Sequence, residues 1–455
     1  MTEAQFAYDV VHRLRDAGYQ ALWAGGCVRD RLLGLEPHDF DVATDAHPDE
    51  VRRLFRHSIA VGASFGVIEV LGPRVEGQRL RVQVATFRTE GPYSDGRRPD
   101  QVSFTTAEGD ASRRDFTING LFYDPISQQV IDYVGGQADL AARVLRAIGN
   151  PAERFSEDKL RLLRAVRFAA RFELTFDPAT FDALRAMANQ ITVVSAERIL
   201  EELRKILVDR HRVRGMNLLW DAGLVHPILP ELVPMKGLPQ GLPHAPTGDL
   251  WDHVMQVLGL LDEPSFPLAF AALLHDVGKP RVVGRTPDRY TFYSHEHVGK
   301  RMAGEICRRL RMSNEERERI EWLVERHQYL CDAPQMKVSK LKSILVHPGI
   351  RELLALHRAD AAATGRSTDH VTFCEKLLQE WSQAELNPPP LLTGDDLKRL
   401  GLIPGPEFKT ILERIREAQL EGTIRSSQEA QQFLHRLLAV PGSGTGEPEE
   451  TDGAA

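Results

Sequence analysis

The rhythm of hydrophobic and polar positions changes near Asn150-Pro151. Over residues 20–145 the apolar positions fall in short runs rich in β-branched side chains, among them ALWAGG, IAVGASFGVIEVLG, RLRVQVATF and QVIDYVG, separated by Gly, Pro and Asp turn signals. That pattern predicts an α/β region with a small sheet, preceded by an amphipathic helix in MTEAQFAYDVVHRLRDAGY. From Asn150 onward apolar residues recur three and four apart, as in DKLRLLRAVRFAARF and AERILEELRKILVDR, so the chain is expected to be helical there. The Pro- and Gly-rich stretch VHPILPELVPMKGLPQGLPHAPTGD interrupts this spacing and reads as a linker over 226–249. Helical spacing returns from WDHVMQVLGLL to LLALHRADAAATG, breaks at NPPPLLTGDDL, and resumes in a short end piece. Residues 441–455 are too polar to fold alone and read as a disordered tail. The expected division is 1–148, 149–225, 226–249 (linker), 250–366, 367–440 and the tail, with no internal repeat.

Composition narrows the class. With 455 residues the chain exceeds what one core usually holds. Its 42% hydrophobic and 27% charged residues are ordinary for globular proteins, and no apolar stretch approaches the roughly 20 residues of a membrane span. The first helix carries acidic residues where a secretion signal would be basic and then apolar. Cys27, Cys307, Cys331 and Cys374 are widely spaced, which suits reduced thiols in the cytoplasm. A net charge of −7 argues against whole-surface attraction to nucleic acid, so RNA contact requires a local basic patch.

The segment AGGCVRDRLLGLEPHDFDVAT sets a Gly pair at a turn into a helix and then a strand carrying Asp39 and Asp41. Gly25 and Gly26 allow close approach of a triphosphate to the backbone, the helix start offers free amides, and Arg29 adds a charge-assisted contact. Residues two apart on a strand face one side, so Asp39 and Asp41 are expected to share two Mg²⁺ ions while Phe40 points into the core. Such a site would activate a 3′-hydroxyl against an α-phosphate, the chemistry of nucleotidyl transfer. Arg164, Arg167 and Arg171 share a face at helical spacing and form a basic stripe suited to phosphates.

Taken together, these motifs resemble the class II tRNA nucleotidyltransferase and bacterial poly(A) polymerase family. GGCVRDRLLG with DFDVAT is similar to its first motif, GDASRRDFTINGLFYDP to its second and IDYVGGQADL to its hinge, while SEDKLRLLRAVRFAARF and SAERILEELRKIL resemble the fourth and fifth. The resemblance implies an α+β fold: a polymerase β-like head with a small mixed sheet, followed by all-helical RNA-binding and HD-type domains. It implies that Asp39 and Asp41 hold the catalytic metal and that Arg114, Asp115 and Asn119 hold ribose and triphosphate. It also implies that Glu157, Asp158 and Arg161 select the nucleotide, Asp158 and Arg161 imitating a Watson–Crick edge, with Arg164 beside them. A helix would place residues three apart on one face, as this requires. Gln83 stands where family members often carry an acidic residue, so no third carboxylate is assigned. Residues 88–102 resemble the loop needed for adding a terminal A, and VGASFGVIEV lacks the basic pair of proteobacterial poly(A) polymerases. The implied activity is CCA addition to tRNA from CTP and ATP, with A-only addition or poly(A) synthesis as alternatives and a non-catalytic RNA-binding scaffold as a third.

WDHVMQVLGLL, LLHDVGKP, SHEHVG, VERHQ and HRADAA supply His253, His275, Asp276, His295, His327 and Asp360. Imidazoles and carboxylates on successive helices suit a divalent ion such as Mn²⁺, Ni²⁺ or Mg²⁺. The set resembles the HD phosphohydrolase superfamily, which implies metal ligands at His253, His275, Asp276 and Asp360, with His295 and His327 as further ligands or phosphate contacts. The alternative is that the domain serves only as an RNA-binding scaffold.

Overall fold

The computed structural model describes every residue except 38, 63–65, 92–100, 243–244 and 440–455. The expected tail at 441–455 and the middle of the 88–102 loop therefore lie outside the described residues. The chain forms two compact units, Met1–Glu321 and Trp322–Ala455. Their boundary falls inside the 250–366 segment that the sequence pattern groups as one domain.

The first unit opens with α1 (Glu3–Asp16), whose start is closed by a reciprocal Thr2/Gln5 capping box and whose buried face is Ala7, Val10, Val11 and Leu14, spaced three and four apart. Then follow β1 (Ala21–Ala24), α2 (Gly26–Leu32), β2 (Asp41–Thr44), α3 (Pro48–Leu54), β3 (Ser58–Gly62), β4 (Val67–Val75) and β5 (Gln78–Thr86). A two-stranded ribbon, β6 (Arg88–Glu90) with β7 (Val102–Phe104), flanks the undescribed loop residues. Next come α4 (Ala107–Ser112), β8 (Leu121–Asp124), β9 (Gln129–Asp132) and α5 (Gly136–Ala141). Seven strands form one mixed sheet in the order β3-β4-β5-β2-β1-β8-β9, with β2 parallel to β5 and the remaining pairs antiparallel.

The strand period of two divides this sheet into a structural and a chemical face. Trp23, Val42, Val84 and Val82 pack with the buried face of α1. Their neighbours Ala24, Asp41, Gln83 and Ala85 turn to the opposite face, where a cleft opens. The α+β expectation and the small mixed sheet are thus both present.

Helices α6 (Pro151–Glu157), α7 (Leu160–Arg171), α8 (Pro178–Met187), α9 (Ala196–Leu207), α10 (Arg212–Asp221) and α11 (Val225–Ile228) continue the unit. The 226–249 segment differs from the irregular linker expected of it. It holds the end of α11, a 3₁₀ turn Pro230–Met235 started by its proline, and a hairpin of Pro239–Leu242 with Ala245–Asp249. Leu229, Leu232 and Met235 recur every three residues and are buried, so apolar burial outweighs the proline signal. α12 (Leu250–Gly259), α13 (Phe266–Leu274), α14 (Lys279–Val282) and α15 (His295–Arg309) follow.

The second unit is helical among its described residues, with helices such as Ile350–Ala363, Asp369–Glu380, Pro406–Leu420 and Ser427–Ala439. One of its cores gathers Leu392, Leu397, Ile411, Ile415 and Leu434. No helix among the described residues is long and apolar enough to cross a membrane.

Candidate nucleotidyl-transfer site

A cleft of about 1070 Å³ in the first unit is lined by Gly25, Asp39, Asp41, Gln83, Asp158 and Arg161, among others. β1 and β2 pair only as far as Ala24↔Asp41, because the chain turns away at Gly25 with φ +73° and ψ −121°. A side chain there would be strained, and its Cβ would stand 2.7 Å from Arg114 Nη1. This is why Asp39 lies just outside the strand that the sequence pattern assigned to it, β2 starting at Asp41. The expected alternation persists: Asp39 and Asp41 are exposed, whereas Phe40 is buried edge-on against Trp23 with ring centres 4.9 Å apart. Surrounding protein raises the Asp41 carboxyl above its ordinary pKa, and the Asp39 charge adds to this against the opposing pull of Arg114. Two carboxylates set side by side at the mouth of a cleft fit a divalent cation. Gln83, opposite Asp41 on β5, contributes an amide where a third carboxylate would otherwise face the pair.

Behind the carboxylates runs a buried polar chain. Arg29 Nη1 donates to Asn119 Oδ1 (2.6 Å), Asn119 Nδ2 donates to Asp115 Oδ1 (2.9 Å), and Arg164 donates twice to Asp115 Oδ2 (2.9 and 2.6 Å). Burial works against the Asp115 charge, yet the Arg164 charge and the Asn119 bond bring its pKa down to about 2. The Arg29 guanidinium is itself buried, bonded to Asp30 Oδ1 at 2.8 Å and set over the Phe172 ring at 4.3 Å. Arg29, Asp115 and Asn119 line the cleft and together brace the sheet against α7. Arg114 is steadied by Asp110, whose carboxylate accepts from Arg114 Nη2 (3.0 Å) and Arg113 Nε (2.8 Å).

Asp158 and Arg161, expected from the resemblance to select the nucleotide, meet in the cleft by a different local route than one helical face. Asp158 sits at a non-helical break between α6 and α7 (φ −140°, ψ 108°) and accepts from the Leu160 amide at 3.0 Å, since an Asp side chain competes well for the free amides of a helix start. Its other oxygen accepts from Arg198 Nη2 at 2.7 Å. Arg161, on α7, donates to the Arg154 carbonyl at 2.9 Å and to Glu157. Glu157 does not line the cleft and acts from behind, as the anchor of Arg161. The basic stripe is partly neutralised, because Arg164 pairs with Asp115 and Arg167 with the buried Glu202, leaving exposed Arg171 at its end.

Residues 21–146 match the family model described as the poly A polymerase head domain, 173–235 the probable RNA and SrmB-binding site of polymerase A, and 250–364 the HD domain. Over 232 residues the chain is 40% identical to the CCA-adding enzyme of Streptococcus suis, covering 51% of this chain and 56% of that protein. It is 41% identical over 223 residues to the CCA-adding enzyme of Levilactobacillus brevis, covering 49% and 55%. The chain thus spans about half the length of the curated relatives it matches. In fold it is similar to the Bacillus stearothermophilus CCA-adding enzyme in complex with CTP, with a TM-score of 0.71 at 24% identity over 96% of this chain and 98% of that one. The Thermotoga maritima CCA-adding enzyme complexed with tRNA matches with a TM-score of 0.58 at 19% identity over 95% of each chain. Around the head-domain cleft, three contributors escape sequence reasoning. Asp110 precedes Arg113 and Arg114 by helical spacing and was open to recognition, whereas Arg198 and Glu202 are some 40 and 35 residues from their partners and give no local signal.

The HD-matching segment places His253, His275, Asp276 and His295 together in the first unit. Asp276 lies 3.6 Å from His253 Nε2, 3.2 Å from His275 Nε2 and 3.2 Å from His295 Nε2. His275 Nδ1 lies 2.8 Å from the Ala272 carbonyl, and its Nε2 faces Asp276 and, at 3.3 Å, His253 Nε2. Gly278 lets α14 start against α15, since a Cβ there would collide with the His295 carbonyl oxygen. Lys279, three residues after Asp276 and not anticipated, donates to its Oδ2 at 2.6 Å. Although burial opposes its charge, His275 and Lys279 hold Asp276 well below the usual carboxylate range. His327 and Asp360 belong to the second unit, where His327 Nδ1 lies 2.7 Å from the Val324 carbonyl and Asp360 pairs with Arg366 at 3.0 Å.

Proposed function

We propose that the protein is a tRNA nucleotidyltransferase of the cytoplasm that adds CCA to the 3′ end of tRNA from CTP and ATP, with release of pyrophosphate. The observation that carries this reading is one cleft joining an exposed carboxylate pair, a glycine turn and an anchored Asp158/Arg161 pair. The names of the matched relatives and the CTP and tRNA complexes of the structural neighbours support it. Asp39 and Asp41 would hold Mg²⁺, which supplies Lewis-acid activation of the 3′-hydroxyl and charge neutralisation at the phosphates.

The residues of the chain do the rest. Gly25 keeps the floor of the cleft open to phosphate, and Arg114, held by Asp110, presents positive charge beside the aspartates. Asp158 offers an acceptor and Arg161 a donor, an edge that pairs with the amino group and ring nitrogen of either cytosine or adenine. Arg198 and Glu157 fix that edge, so the protein chooses the base without a nucleic-acid template.

Purified protein, Mg²⁺, tRNA lacking its terminal nucleotides and labelled CTP or ATP test the reading. Incorporation in the order C, C, A supports it. A alone on a CC-ending tRNA indicates A-only addition, long A tails indicate a poly(A) polymerase, and no incorporation leaves an RNA-binding scaffold. The His253, His275, Asp276 and His295 cluster favours a second activity, phosphomonoester or 2′,3′-cyclic phosphate hydrolysis with Mn²⁺, Ni²⁺ or Mg²⁺.

A further inference from the structure

The second unit contains a group of side chains that neither nucleotide addition nor the HD residues use. Cys331 lies just before the 3₁₀ turn Ala333–Gln335, His357 is on the helix Ile350–Ala363, and His370 is on the helix Asp369–Glu380. One ligand atom from each falls within 4.8 Å of the others. We propose that Cys331, His357 and His370 form a binding site for a thiophilic divalent ion of the zinc class, which clips these three segments together.

The ring orientations carry the argument. His357 Nε2 lies 3.1 Å from the Arg326 carbonyl oxygen, which can only accept, so Nε2 bears the proton and Nδ1 presents a lone pair. That Nδ1 faces His370 Nε2 at 3.3 Å. Two imidazole nitrogens bound at about 2.0–2.1 Å in tetrahedral geometry stand roughly 3.3 Å apart, so the pair already has the spacing such an ion requires. The carbonyl bond is the outer support that zinc-binding histidines commonly have, fixing tautomer and ring plane before any ion arrives. Burial keeps His357 neutral, with its pKa lowered to about 3, and lowers that of His370 as well, so neither nitrogen must lose a proton to bind near neutral pH.

Cys331 completes the donor set from the solvent side. It is exposed, which gives the ion a path in and leaves a fourth position for water. Burial of its sulfur raises the thiol pKa, so binding must displace one proton from Sγ to solvent as the metal–thiolate bond forms. Arg366, a nearby cation, is paired with Asp360 at 3.0 Å, which lessens its repulsion of an incoming ion. One thiolate with two imidazoles selects Zn²⁺ or Co²⁺ over Mg²⁺, whose hard preference for oxygen suits the head-domain aspartates instead.

The test uses the full chain stripped with a chelator and titrated with Co²⁺. The expected result is a thiolate-to-cobalt charge-transfer band in the near ultraviolet that saturates at one equivalent, disappears on adding Zn²⁺, and accompanies release of one proton. Cys331→Ser should abolish the band and lower bound zinc by one equivalent, and His370→Ala should weaken Co²⁺ binding at least tenfold. The double variant His275→Ala, Asp276→Ala should keep the band, since no sulfur lies in that group. Because Cys331 is exposed, its variant tests the site without opening a core, and an unchanged circular dichroism spectrum verifies this. Absence of the band in the wild-type chain, or its survival in Cys331→Ser, overturns the proposal.

Discussion

Replacing Asp115 by Asn isolates the buried chain behind the carboxylates. The substitution keeps the shape of the side chain and imitates the protonated acid, while setting an amide where Arg164 expects an anion. The folded-state pKa of about 2 lies nearly two pH units below the unperturbed 3.8, and each unit is worth about 1.4 kcal/mol, so the charge of Asp115 contributes ~2.5 kcal/mol. Because the folded pKa is depressed, that contribution is complete above the unfolded value of 3.8 and is lost as pH falls through about 2. Linkage leaves roughly half of it at pH 3. Urea unfolding of wild type and Asp115→Asn should therefore differ by at least ~2.5 kcal/mol at pH 7, and the gap should shrink by about 1 kcal/mol at pH 3. Nucleotide addition at pH 7 should fall for CTP and ATP alike, since Asn119 and Arg164 lose their common anchor. A gap below ~1 kcal/mol at pH 7, or one that does not narrow on acidification, would refute the reasoning.

Other substitutions separate the roles around the cleft. Gly25→Ala forces a side chain into positive φ and against Arg114, so turnover should drop at least tenfold (about 1.4 kcal/mol) with both nucleotides in single-turnover assays, the fold being retained. Asp39→Asn or Asp41→Asn should abolish addition of every nucleotide while leaving the circular dichroism spectrum unchanged; residual addition above background counts against the carboxylate pair. Arg198→Ala frees Asp158, so discrimination between CTP and ATP, measured as a ratio of kcat/KM values, should fall about tenfold with a smaller loss of rate. In the HD segment, phosphate release from a model ester with Mn²⁺ or Ni²⁺ should vanish in His275→Ala, Asp276→Ala, and no release by wild type with any metal sinks that activity.

The parts of the site written locally in sequence were legible, and those assembled from a distance were not. Asp39, Phe40 and Asp41 alternate as strand periodicity requires, and the glycine turn precedes them within one motif. Asp158 and Arg161 line one cleft without sharing a helix face, because Asp158 stands in the break before α7 and accepts from the Leu160 amide. Arg198 and Glu202 act across the packing of α7 and α9, where sequence separation hides the pairing. At 226–249 the prolines dominate the local signal, but Leu229, Leu232 and Met235 show that apolar spacing within a proline-rich stretch still marks structure.

The placement of Phe40 joins two properties usually treated apart. The two aspartates straddle a ring wedged against Trp23, so the distance between their carboxylates is set by how tightly an apolar interior is filled. Trimming that ring would shift the carboxylates without touching a polar atom, and any attempt to retune what the pair binds has to be designed from the hydrophobic side of the sheet as well as from the cleft.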